Sequence, residues 1–334
     1  MKTKLVCLIV FLVIINVTKN VYSENPTTYR DATTLINDII GFESIYPISH
    51  EEIGRTVNNK PIYVFKIGNP NGGKVLIEAT LHGPEYANSE VLYWFIDWLL
   101  KDVGSDAVNM RARNYVMIIP IVNIDNYKTT RENAHGVDLN RNFETGWISG
   151  AGRGSSALSE PETRAIHEFV ERVQPEWFLD LHSGDVRVSP PWGYLSFTPE
   201  QSYYQAVYQN YTSICSFPIS YVASNNYGNG LARDEGYALG AYSFCVETTS
   251  STPVYSDVYN VILPKVKPLI ITVCQECAVY DNVHDNNTTT TADWIKFMSE
   301  HVVEISAGTL STVLLFVIII LKVKPKVKVM GRRR

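Results

Sequence analysis

Val75-Leu76-Ile77-Glu78-Ala79-Thr80-Leu81-His82-Gly83-Pro84-Glu85 is a near-continuous apolar run that breaks at a Gly-Pro pair. Val75–Ala79 reads as a strand covered on both faces, since such strands show little polar alternation. Shortly after it, residues 88–100 place Val91, Leu92, Phe95, Ile96 and Leu99 on one helical stripe. The same strand signal recurs at Ile62–Ile67, Tyr115–Ile121, Trp177–Leu181 and Tyr242–Val246, each bounded by Gly, Pro or Asn. Between these runs, Ser159-Glu160-Pro161-Glu162 opens a helix with a cap, a first-turn proline and early acids, and a last helix is expected from about Pro264 to Tyr280. Strands alternating with helices predict an α/β single domain with a mixed, mostly parallel central sheet flanked by helices, with ligand sites at the strand C-terminal ends.

Outward from this centre, the 334 residues are 45% hydrophobic and 19% charged, as in a folded protein. The charges are unevenly spread. Three of the 29 Lys and Arg lie in residues 1–23 and seven after Leu321, with no acid in either end, leaving 19 basic against 34 acidic residues between them, a net −15. A nucleic-acid-binding surface is not expected on such a body. Leu5–Val17 behind two lysines, followed by Val21-Tyr22-Ser23, reads as a secretory signal over residues 1–23. Residues 24–281 form the expected α/β body and 282–304 a polar stalk. The uncharged run 305–321 is just long enough for a transmembrane helix, and the basic tail 322–334 would stay cytoplasmic. The expectation is an extracellular body anchored to the membrane by its C-terminal helix. Cys215, Cys245, Cys274 and Cys277 are expected to stay unpaired, and Cys274-x-x-Cys277 lacks the second pair a structural zinc site needs.

Four segments carry candidate chemistry. His82-x-x-Glu85 follows the strand Val75–Ala79; its spacing is close to background, because His135/Asp138, His182/Asp185 and His301/Glu304 share it. Position singles it out, as it does His182, which follows Trp177–Leu181. Two imidazoles and a carboxylate at one rim would make a three-ligand zinc site with an open position, although each histidine serves equally well as a rim residue with an ordinary hydrogen bond. Arg131 to Phe143 contains Arg131, Asn140, Arg141 and Asn142, which suit a carboxylate or, equally, a solvated loop with local ion pairs. Glu247 closes the strand Tyr242–Val246, where a carboxylate is costly to bury without a role or a partner, and reads as a general base.

In this order the segments resemble the zinc metallocarboxypeptidase family of the carboxypeptidase A and B type, over nearly all of residues 30–280. Ile53-Gly54-Arg55-Thr56 and Pro61-Ile62-Tyr63-Val64 look like its opening strands, His82-x-x-Glu85 with His182-Ser183 its split zinc motif, Asp138-Leu139-Asn140-Arg141-Asn142-Phe143 its substrate-carboxylate motif, and Ser243–Glu247 its catalytic strand. The resemblance implies one Zn²⁺ held by His82, Glu85 and His182. It implies Glu247 as general base, Arg131 as stabiliser of the developing oxyanion, and Asn140 and Arg141 as the grip on the terminal carboxylate of a peptide or protein. Counting back from Glu247 puts Arg233 near the side-chain pocket, favouring a terminal Glu or Asp, or else pairs it with Asp234 or Glu235 at a helix start. Tyr227, or alternatively Tyr221, matches the tyrosine that closes over substrate.

Two departures stand out. Pro84 occupies a position where digestive members carry arginine, and the roughly 30 residues before the first family-like strand are too few for a folded activation domain. The rival readings are an N-acyl amino-acid deacylase or peptidoglycan stem-peptide peptidase on the same scaffold, and an inactive zinc-binding surface recognition module.

Overall fold

The computed structural model describes residues 27–223 and 228–277. The expected signal (1–23), stalk (282–304), membrane helix (305–321), basic tail (322–334) and Tyr227 lie outside the described residues. Among the described residues no helix is long and apolar enough to cross a membrane.

Eight strands form one sheet: β1 (Ile48–Arg55), β2 (Pro61–Gly68), β3 (Gly73–Ala79), β4 (Asn114–Ile119), β5 (Trp177–His182), β6 (Arg187–Ser189), β7 (Ser220–Tyr221) and β8 (Tyr242–Glu247). Their spatial order is β1-β2-β4-β3-β5-β8-β6-β7. The centre, β4-β3-β5-β8, is parallel throughout. The pairs β1·β2, β2·β4 and β6·β8 are antiparallel and the short edge pair β6·β7 is parallel, so the sheet is mixed around a parallel centre.

The middle strands are apolar because both faces are covered. One face of β3 and β5 (Val75, Ile77, Leu179, Leu181) packs with α1 (Ala32–Gly41), α2 (Ala87–Lys101), α5 (Gln201–Ile214) and α7 (Leu263–Glu276). The other (Leu76, Phe178) packs with α4 (Pro161–Val173) and α6 (Ala232–Ala238). A further helix, α3 (Ser105–Arg113), leads into β4.

Three expectations are corrected in detail. Residues 120 and 121 fall outside β4, which ends at Ile119. Ser159 does not cap α4: Glu160 holds the cap position without a side-chain cap bond, and the Ser159 hydroxyl donates to the Glu160 carboxylate instead. The last helix begins one residue earlier than expected, behind a π-helical turn over Val258–Ile262, and ends at Glu276. Cys215, Cys245, Cys274 and Cys277 are free thiols.

Candidate active site

Because β3, β5 and β8 are parallel neighbours, their C-terminal ends open on the same rim. His182 closes β5, Glu247 closes β8, and the two are register partners. His82 lies three residues beyond β3, and Glu85 ends the single 3₁₀ turn Gly83–Glu85. That turn needs a glycine: a Cβ on Gly83 would run into the backbone oxygen of Asn126. The tight turn brings Glu85 between the two rings, with its Oε1 2.7 Å from His82 Nδ1 and its Oε2 2.9 Å from His182 Nδ1. Ligand atoms of the three residues all lie within 4.8 Å of one another, and all three residues are buried.

Two imidazole nitrogens and a carboxylate converging below an open cleft fit a catalytic zinc ion, whose fourth position is left for water or substrate. The backing suits a ligand as well, since His82 Nε2 lies 3.0 Å from Asp138 Oδ1, the outward partner a metal-binding imidazole needs. Electrostatics agree. Burial would lower the His182 ring, but Asp180 and Glu85 outweigh it and push it well above the usual range, so this spot favours positive charge. Burial would raise Glu85, yet the His182 and His82 rings hold it well below the carboxylate range. Asp138 is likewise held down against burial, by His82 and the Arg131 and Arg141 guanidiniums.

Glu247 faces the same cleft. Burial raises its carboxyl above the ordinary value, and its Oε2 has no partner among the described residues. Arg131, half-exposed, pairs through Nε with Asp138 Oδ2 at 2.9 Å and reaches to 3.7 Å from Glu85. Asn140 and Arg141 share a 3₁₀ turn on the cleft wall. Asn140 Oδ1 accepts from the Ala232 N–H, and its Nδ2 lies 2.8 Å from His182 Nε2. The cleft therefore gathers His82, Glu85, His182, Glu247, Arg131, Asn140, Arg141 and Arg233 in one place.

The zinc carboxypeptidase family model matches residues 42–249, more than half of the chain. The chain belongs to the zinc carboxypeptidase family. Human mast cell carboxypeptidase A is 28% identical over 186 residues, which cover 46% of this chain and 45% of the relative. The chain thus spans about half the length of the curated relatives it matches. Bovine thrombin-activatable fibrinolysis inhibitor, solved with a tick carboxypeptidase inhibitor, superposes with a TM-score of 0.66 at 20% identity over 75% of this chain and 98% of that one. Carboxypeptidase A from Helicoverpa armigera gives 0.62 at 19% identity, over 73% and 72%. These two structures establish the fold.

Within that family frame, Arg233 makes the pairing with Asp234 that was considered for it, and it also lines the cleft. It is 1% exposed, its Nε pairs with Asp234 Oδ1 at 3.2 Å, and its Nη1 donates to Ser189 Oγ at 2.7 Å. Nη2 has no partner among the described residues, while Arg233 lines the cleft. Gly193 makes room for it, because a Cβ there would strike Nη2, and the Gly193 N–H braces Asp234. Tyr221 lies on β7 against Tyr208 and is not among the described cleft-lining residues. Sequence reasoning missed Asp180 and Ser189 as cleft residues, and Asp138 as the partner of His82. For Asp180 the available signal was an acid inside an otherwise apolar strand, the same signal that marks Glu247.

Proposed function

We propose that this chain is a zinc-dependent metallocarboxypeptidase that removes single C-terminal residues from peptides or proteins outside the cell, with a preference for terminal Glu or Asp. The observation that carries the reading is the convergence of His82 Nδ1, Glu85 and His182 Nδ1 beside Glu247, whose Oε1 accepts from the Arg187 guanidinium at 3.5 Å while its Oε2 has no partner among the described residues. When bound, zinc supplies a Lewis acid and lowers the pKa of the attacking water towards roughly 7. Glu247 takes the proton of that water and returns it to the leaving amine, a role suited to a carboxyl whose burial makes it a stronger base. Arg131 donates to the oxygen that becomes negative, and Asn140 with Arg141 holds the terminal carboxylate. A grip at a set distance from the metal admits only the last peptide bond.

Arg233 supports the acidic preference: it is a buried guanidinium with one nitrogen left for a ligand. Secretion and membrane anchoring rest on the charge and hydropathy of residues 1–23 and 305–334.

The test is amino-acid release by the zinc-loaded protein from short peptides ending in Glu, Leu or Lys, each also made with an amidated C-terminus. Glutamate should be released fastest and the amides left intact. Arg233→Gln should cut the preference for Glu over Leu by about tenfold or more, the value of one charge-assisted hydrogen bond. Release of none of the three residues would sink the peptidase reading in favour of a deacylase or a recognition module.

A further inference from the structure

Asp180 has no assigned task in the scheme above, yet it occupies an expensive position. It is 1% exposed in the middle of the sheet, with neither oxygen in a hydrogen bond among the described residues. Its Oδ1 nevertheless lies 2.9 Å from Nε2 of His182, within ion-pair range though short of hydrogen-bond geometry.

The ring's other contacts explain that geometry. As it stands, His182 presents Nδ1 to Glu85 Oε2 and Nε2 to Asn140 Nδ2. Asn140 cannot reverse its amide without losing the bond from the Ala232 N–H to its Oδ1. An amide N–H₂ facing Nε2 is a donor, so in the neutral ring this arrangement places the proton on Nδ1. An imidazole that gives Nδ1 to a metal must carry its proton on Nε2, and a donor opposite it then becomes a repulsive neighbour.

Resting on the zinc reading above, we propose that Asp180 is the positioning residue for His182: it accepts the Nε2 proton and so holds the ring with Nδ1 free for the metal. Asp138 has the equivalent place behind His82, at 3.0 Å from Nε2. The two zinc histidines are thus each backed by a carboxylate, one reaching from the substrate loop and the other from two residues back along the same strand. Because side chains two apart on a strand share a face, Asp180 follows His182 wherever β5 places it.

The experiment compares the full-length parent with Asp180→Asn, which keeps the shape and removes the charge. Zinc affinity is measured by chelator competition, and Tm on metal-stripped protein. Asp180→Asn should bind zinc about 10- to 100-fold more weakly, the usual cost of losing such a partner. Its metal-stripped Tm should stay level, because losing the pairing with His182 offsets the relief of removing a buried acid without hydrogen bonds. A merely structural role would lower that Tm in step with affinity, and this result overturns the proposal, as does a zinc affinity within threefold of the parent. Should Asp180→Asn fail to fold, Asp180→Ser is read against the same two outcomes. A parent that takes up no zinc refutes the enzymatic reading itself, whereas a parent that holds zinc tightly beside an equally tight variant refutes only the role of Asp180.

Discussion

Glu90 and Glu78 are both wholly excluded from solvent, and their neighbours treat them in opposite ways. Glu90, on α2, accepts the Arg30 backbone N–H at 2.8 Å, the Arg30 guanidinium at 3.0 Å and the Tyr255 hydroxyl at 3.2 Å. Glu78, on β3, has no hydrogen bond to either oxygen among the described residues and lies beside Asp180 on β5. Burial raises both carboxyls; for Glu78 the neighbouring Asp180 adds to the shift, whereas for Glu90 the Arg30 charge opposes it. The first acid clamps the N-terminal segment onto the domain. The second belongs to a polar layer under the metal rim that the fold tolerates at a cost. The difference teaches that burial alone does not say what an acid contributes: Glu90 is held by three donors and ties two segments together, whereas Glu78 has none among the described residues and is a cost to the fold.

The contrast breaks if a change at the rim unfolds the protein or a change at the clamp stops the chemistry. At the rim, Glu247→Gln should lower kcat about 10²- to 10⁴-fold with zinc content and Tm unchanged, as read by peptide hydrolysis, metal analysis and calorimetry. At the clamp, Glu90→Ala should cost about 2–4 kcal/mol of stability, because it leaves the Arg30 guanidinium buried with only the half-exposed Asp38 as ion-pair partner. Its kcat/KM measured well below Tm should stay within twofold of the parent.

The smallest effect sharpens the comparison through pH. The folded value of Glu78 is raised above 4.5, so its contribution to stability is fully present below pH 4.5 and is lost as pH rises through the folded value. Glu78→Gln, which stays neutral, should therefore raise Tm by roughly 2–4 °C at pH 8, with the gain fading towards pH 4. An equal gain at both pH values would show that Glu78 is not held in its acid form.

Apolar runs were enough to place the five central strands and the stripe of α2, because burial on two faces writes itself as such runs, while the start of α4 was read from its first-turn proline and early acids. Periodicity did not register α5, whose buried stripe is Tyr204, Val207 and Tyr211, since tyrosine hydroxyls blunt the apolar signal. The short strands β6 and β7 hold three and two residues, too few to show a period. Of the candidate site, strand ends marked His82, His182 and Glu247 as rim residues, the proposed ligand set and the Asn140-Arg141 grip came from the family resemblance, and the fold brings all of these residues to one cleft. Asp138 stood inside a quoted motif, but its task depends on the fold bringing it against His82, 56 residues away in the chain. Glu78 and Asp180 were hidden for a different reason: a lone acid in a strand of apolar residues averages away in any reading by runs, although its burial is the costlier fact.

Ser189, which orients Arg233, belongs to β6 near the edge of the sheet, while the residues proposed to carry out hydrolysis gather around the ends of β3, β5 and β8 at its middle. In the proposed reading, choice of substrate and cutting of substrate thus hang from different parts of one framework. On that reading, a descendant of this chain that exchanged Ser189, Gly193 and Arg233 for another set would change its diet without touching the residues proposed for hydrolysis.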